Sequence, residues 1–256
     1  MIKENISLID QEKDISLAVL WEFLNYPLNS SYEILEQFAK LPRAIYNIGT
    51  SDKQAFVYIQ GTRTDAATLI AHADTVYNFA GEHKMKIING VIYSTQVGVG
   101  IGADDRAGCA ILWLLRNYGH NILVIGGEEY GQPTANWIVK EHTKILNEIQ
   151  KSSFMLEFDR RTFKKYKFYN LPNSNNFKIF LEAKTGYSFD STPGYTDICI
   201  LATKGCCAAN LSVGFYNAHS LTEYLVINEW LYSLEVTKKL LSEPLKRFIL
   251  RNNTKK

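Results

Sequence analysis

Five short stretches hold most of the side chains able to do chemistry in this chain of 256 residues: HADTV at 72–76, GADDRAG at 102–108, GGEEYG at 126–131, LEFDRR at 156–161 and YNAHS at 216–220. His72 and Asp74 stand two apart at the end of an apolar run, and in a strand such positions share a face. An imidazole there can bind a metal while the carboxylate orients it. Asp104 and Asp105 precede a helical pattern, where one aspartate suffices as a cap and the second asks for a reason. Glu128 and Glu129 end the apolar run NILVIGG, a costly place for two carboxylates unless a cation meets them. Asp159 ends another such run, and His219 follows a third. Singly, each fits a capped helix, a solvated acid or a surface histidine. Together they bring two histidines and several carboxylates to successive strand ends, where uncompensated acids repel and raise one another's pKa. Divalent cations relieve that, and His with Asp and Glu suits zinc.

Elements that place these residues follow from the hydrophobic pattern. Residues 14–41 predict two helices divided around Pro27 to Ser31, with Asn29, Ser30 and Ser31 as caps. Short β-type runs follow, RAIYNIG, AFVYIQG and ATLIAHADTV, and Asn-Gly inside MKIINGVIYST predicts a hairpin. DDRAGCAILWLLRNYG has helical spacing and closes on a glycine. NILVIGG and SFMLEFD are continuous apolar strands, as expected when both faces are covered. Residues 133–151 predict one helix with Pro133 near its start. SNNFKIFLEAKTG and TDICILATKG are further helices, CCAANLSVGF a strand, and VINEWLYSLEVTKKLLS a terminal amphipathic helix. The alternation predicts a three-layer α/β/α sandwich around a mostly parallel, mixed sheet, with sites at the carboxyl ends of its strands. Residues 1–256 are expected to form one domain, with 246–256 a flexible tail.

Bulk properties exclude other classes. A net charge of +2 with acids and bases interspersed offers no nucleic-acid groove and no membrane patch. No window reaches the roughly 18 apolar residues of a membrane span. The N-terminus lacks the apolar core of a secretory signal. Cys109, Cys199, Cys206 and Cys207 form no Cys-x-x-Cys pair and fit buried thiols in a reducing, cytoplasmic setting.

In order and context, HADTV, GADDRAG, GGEEYG, LEFDRR and YNAHS resemble the co-catalytic two-zinc exopeptidases, the superfamily of bacterial leucyl aminopeptidases and related zinc carboxypeptidases and deacylases. The resemblance runs from residue 15 to residue 240 and is to a compact, single-domain branch. It implies the zinc-exopeptidase (phosphorylase/hydrolase-like) fold and two divalent ions, zinc or else manganese or cobalt. Asp104 would bridge them across a cis Asp104–Asp105 peptide. His72 and Asp159 would complete one site, and Glu129 and His219 the other. Asp74 would orient His72, and Glu128 would act as general acid/base on a peptide or amide substrate. Tyr195, Tyr216 and Arg160 are candidate substrate contacts; Arg106, Arg160 and Arg161 flank the motifs and could recognise a substrate carboxylate, although such arginines more often pair with local acids.

Two departures stand out. Where many relatives carry Ser-Asp-His, this chain has Thr196 and Asp197 without a histidine, leaving Asp197 to support the site or cap a helix. The interval after Asp159 is too short for the lid or dimerisation domain of the carboxypeptidase-like relatives, so assembly is open between a monomer and a homo-oligomer. Besides an aminopeptidase or dipeptidase, the residues leave open an amide deacylase, a single-zinc glutaminyl-type cyclase and a non-catalytic binding module.

Overall fold

The computed structural model describes residues 2–81 and 83–251. Helices α1 (Ile2–Asn25) and α2 (Tyr32–Ala39) precede strands β1 (Ala44–Ile48), β2 (Ala55–Ile59) and β3 (Thr68–His72). The hairpin β4 (Met85–Ile88) and β5 (Val91–Ser94) leads to α3 (Ala103–Leu115) and β6 (Asn121–Ile125). Then come α4 (Pro133–Glu141), α5 (Thr143–Lys151), β7 (Met155–Arg160), β8 (Lys165–Lys167), α6 (Asn175–Thr185), β9 (Ser188–Phe189) and α7 (Ile198–Leu201). Strands β10 (Ala208–Ser212), β11 (Phe215–Tyr216) and β12 (Tyr224–Val226) and helix α8 (Ile227–Ser242) close the chain.

Eight strands form the main sheet in the order β1-β2-β6-β3-β7-β10-β8-β9. Its centre, β6-β3-β7-β10, is parallel throughout, so the four strands end on one edge. Their alternation explains the layers. Leu69, Ala71, Val124, Leu156 and Phe158 face a core shared with Phe23 and Leu35 of the first two helices, Ala110 of α3, Phe177 of α6 and Leu234 of α8. Ile70, Leu123, Ile125 and Met155 face the opposite core, with Ile138, Ile149 and Ile198 from α4, α5 and α7. The expected three-layer α/β/α sandwich with a mostly parallel sheet is the architecture observed.

A second, antiparallel sheet of order β11-β12-β5-β4 carries the predicted hairpin. Asn89 and Gly90 take φ of 51° and 76°, the two left-handed residues that a type I′ turn requires. Three expectations are corrected, and one segment without a prediction joins the main sheet. Helix α1 begins at Ile2, well before residue 14. Residues 133–151 form two helices, broken at His142, whose φ and ψ of −110° and 49° leave the helical region. The segment after Asp159 adds β8 and β9 to the main sheet. The expected tail is anchored as far as it is described: Phe248 packs against Phe154, Phe177 and Phe180, and its N–H donates to the Ser153 carbonyl. Residues 252–256 of that tail lie outside the described residues.

Candidate metal centre

All five motifs converge where the parallel strands end. His72 is the last residue of β3 and lies in the middle of the sheet, between β6 and β7. Its Nε2 is 3.2 Å from Asp104 Oδ1 and 3.4 Å from Asp159 Oδ1. On the other side of Asp104, Oδ2 lies 3.1 Å from His219 Nε2, which is 2.7 Å from Glu129 Oε1. Asp104 therefore belongs to two triads, His72–Asp104–Asp159 and Asp104–Glu129–His219, and in each the donor atoms lie within 4.8 Å of one another. His72, Glu128 and Glu129 form a third such group.

The Asp pair divides its work. The Asp104–Asp105 peptide is cis. Asp105 turns inward, where Oδ1 accepts the Gly108 N–H at 3.1 Å and Oδ2 the His72 N–H at 3.2 Å. These bonds tie the first turn of α3 to β3, leaving Asp104 to face the cavity. Asp74 is a fastener too. Its carboxylate accepts the N–H groups of Gly127 (2.7 Å), Glu128 and Glu129 (both 3.1 Å) and lies 3.4 Å from His72 Nδ1. One buried carboxylate thus orients the histidine and the turn that carries both glutamates. Gly127 makes that turn possible: its φ is 88°, and a Cβ there would sit 2.1 Å from the Lys53 carbonyl oxygen.

The glutamates then diverge. Glu129 points to His219, and Glu128 Oε1 accepts from Gln132 Nε2 at 2.9 Å. Burial, then the neighbouring Asp159 and Asp104, push Glu128 up to about 7 despite His72. Burial and Asp104 likewise push Asp159 up to about 7. His219 is raised to about 10 by Asp104 and Glu129. Burial opposes the charged form of His72, but Asp104, Asp159 and Asp74 outweigh it and hold its pKa well above the usual histidine value. Such a cluster attracts positive charge, and a divalent ion supplies it more compactly than protons do. The donor set fits: two imidazoles and three carboxylates, the borderline ligands zinc favours. Glu129 Oε1 is buried without a hydrogen-bond partner among the described residues, although His219 Nε2 is close, as suits two atoms facing a common cation.

No family model matches the chain, and no curated protein matches it in sequence. Among solved structures, aminopeptidase PepT from Bacillus cereus aligns over 90% of this chain and 98% of its own, with 12% identity and a TM-score of 0.67. A tripeptidase from Staphylococcus aureus aligns over 90% and 99%, with 14% identity and a TM-score of 0.66. The TET1 peptidase of Pyrococcus horikoshii aligns over 89% and 99%, with 12% identity and a TM-score of 0.62. The chain shares the fold of these peptidases. Within that fold, the two triads stand at the carboxyl edge of the sheet, where open α/β sheets bind their ligands.

The remaining candidates separate. Asp104, Glu128, Glu129, Asp159 and His219 line a cavity of about 220 Å³ together with Arg160 and Tyr195. Tyr195 is 61% exposed at its rim. Tyr216 is set aside: its hydroxyl donates to Glu229 Oε2 at 2.8 Å and its ring stacks on Tyr224, so it is engaged in the small sheet. Arg160 reaches the cavity but also pairs with Asp190. Arg106 is buried and donates to the carbonyls of Tyr26, Pro27 and Ser30. Asp197 makes no capping bond to α7, and both its carboxylate oxygens are buried without a partner among the described residues.

Three contributors escaped the sequence reading. Asn210 on β10 donates to Asp159 Oδ2 at 3.3 Å and to the Tyr169 hydroxyl at 3.0 Å, and Tyr169 lines the cavity. Glu223 is fully buried just past the His219 loop. Its carboxylate accepts the N–H of Gly102 at 2.7 Å, the N–H of Asp104 at 3.0 Å and the Tyr77 hydroxyl at 3.1 Å. One side chain thereby ties the loop bearing His219 to the turn bearing Asp104, two candidate ligands well separated in the sequence. Glu223→Gln should keep the fold, weaken metal binding at the Asp104–Glu129–His219 triad by about 10–100-fold, and weaken it less at the other triad, which shares Asp104 but not His219. Metal titration followed by calorimetry reads this directly. Two unchanged affinities would dismiss the positioning role.

Proposed function

We propose that the chain is a metal-dependent exopeptidase that removes N-terminal residues from peptides, an aminopeptidase or dipeptidase working with two divalent ions, zinc in the first instance. What carries the proposal is the pair of histidine–carboxylate triads sharing Asp104, with Glu128 beside them. His72, Asp104 and Asp159 would hold one ion, and Asp104, Glu129 and His219 the other. Bound there, the ions supply Lewis acidity that polarises the scissile carbonyl and acidifies an attacking water. The four acids lining the cavity, Asp104, Glu128, Glu129 and Asp159, are balanced in charge by two such ions. That arithmetic supports a two-ion enzyme over the single-ion cyclase reading.

The protein's own part is to orient and to move a proton. Asp74 fixes the ring of His72 and, through three backbone N–H groups, the position of Glu128. Glu128 accepts the proton of the water as it attacks and passes it to the leaving amine. Tyr169 replaces Tyr216 as the candidate donor to the developing oxyanion. Its hydroxyl accepts from Asn210, so its own proton remains free to be donated into the cavity it lines. Tyr169→Phe should cost kcat about 10-fold or more with ion content unchanged, and an unaffected kcat would remove it from the mechanism.

A panel of peptides with free and acylated N-termini, assayed with and without chelator, tests the reading. Cleavage confined to free N-termini and abolished by chelator supports it. Preference for the acylated set would make the protein a deacylase. Turnover that survives chelation would end the metal-dependent reading.

A further inference from the structure

The two oxygens of Asp159 are treated differently by their surroundings. Oδ1 faces His72 Nε2 at 3.4 Å. Oδ2 accepts two hydrogen bonds, one from the Thr196 hydroxyl at 3.0 Å and one from Asn210 Nδ2 at 3.3 Å. An ionised carboxylate has about four lone-pair sites, two on each oxygen. Thr196 and Asn210 therefore occupy the sites on Oδ2, and Oδ1 keeps its own for a cation.

Both donors are firmly mounted. Asn210 is fully buried in β10, between β7 and β8, and its Oδ1 accepts the Asp159 N–H at 3.0 Å. One amide group thus grips both the backbone and the side chain of the same residue. Thr196 is fully buried just before α7. Its carbonyl accepts the Cys199 N–H at 3.0 Å, and Ile198 and Leu201 seat the helix in the core. In the place where the resembled enzymes carry Ser-Asp-His, the residue that bonds a candidate ligand here is Thr196. Asp197 beside it has no hydrogen-bond partner for its carboxylate among the described residues.

The consequence concerns the choice of ion, which geometry and donor number decide as much as intrinsic affinity does. Manganese suits six oxygen-rich positions, and a carboxylate free to offer both oxygens helps to fill a larger shell, as it does for calcium. An Asp159 limited to Oδ1 gives the His72–Asp104–Asp159 triad one donor atom per residue. That matches the catalytic zinc arrangement of three protein ligands and an open position. We propose that Thr196 and Asn210 make Asp159 a one-oxygen ligand and thereby set the ion preference of this triad, widening the margin of zinc over manganese. The proposal rests on the two-ion reading and adds the residues that select the ion at one of the two sites.

The test is calorimetric titration of the metal-free protein with zinc and with manganese, in a Glu129→Gln background that leaves this triad intact. Thr196→Val removes the donor and keeps the shape of the side chain. It should weaken zinc binding about 10-fold or more and leave manganese binding unchanged or tighter, so the ratio of the two affinities falls at least as far. Thr196→Ser, which keeps a hydroxyl, should hold the parental ratio. Thr196→Ala takes the place of the valine variant if that one does not fold. An unmoved ratio, an equal loss of both ions, or a serine variant that behaves like the valine one overturns the proposal while the two-ion reading stands. If the Glu129→Gln protein binds neither ion, the two-ion reading falls and the proposal with it.

Discussion

A Glu128→Gln variant will bind two divalent ions per chain and lose about three orders of magnitude in kcat, whereas Glu129→Gln will lose one ion. The magnitude is that of a general acid/base removed from a site otherwise intact, about 10²–10⁴-fold. The contrast between neighbours comes from the Gly126-Gly127 turn, which sends adjacent carboxylates in different directions. Glu129 meets His219 at 2.7 Å in the triad that shares Asp104. Glu128 is held by Gln132 instead, and burial with nearby acids brings its pKa to about 7, close to where a proton shuttle works best. The rival arrangement is the His72–Glu128–Glu129 group. Were it the true site, Glu128→Gln would lose metal. Elemental analysis of both purified variants, alongside kcat, separates the two arrangements, and metal loss confined to Glu128→Gln would reverse the roles.

Why these acids were legible in the sequence, and others were not, follows from the range of the interactions. His72, Glu128 and Asp159 each follow a continuous apolar run, and parallel strands buried on both faces announce themselves that way. Their carboxyl ends share one edge, so a local pattern becomes a three-dimensional prediction. His219 was less legible, because it stands beyond its apolar run in a loop that depends on a small sheet whose β12 pairs with the distant hairpin strand β5. Glu223 had no local signal at all: its value lies in backbone groups 119 and 121 residues away. Tyr216 failed for the converse reason, since a tyrosine near a motif says nothing of Glu229, thirteen residues later, which claims its hydroxyl. The anchoring of Phe248 was hidden in the same way. A basic, polar C-terminal segment looks free until Phe154 and Phe177 are brought beneath it by the fold.

Divalent ions should also raise the melting temperature, and Asp104 should control most of that rise. A ligand at a hundredfold excess over its Kd stabilises the folded state by about 2.7 kcal/mol per site. Two sites give about 5 kcal/mol, or a shift of roughly 10–20 °C for a chain of this size. Unfolding scatters ligands drawn from β3, the start of α3, the end of β6, β7 and the β11–β12 loop, so the unfolded chain holds the ions poorly and the linkage operates almost in full. Because Asp104 stands in both triads, Asp104→Asn should lose most of the zinc-induced shift. Glu129→Gln should lose about half, since the His72–Asp104–Asp159 triad is untouched. Glu128→Gln, which removes no ligand, should keep it whole. Differential scanning calorimetry with zinc and then with chelator gives all four shifts on one scale. A full shift in Asp104→Asn would sink the shared-carboxylate model, because two independent sites cannot both ignore the loss of the one acid they have in common.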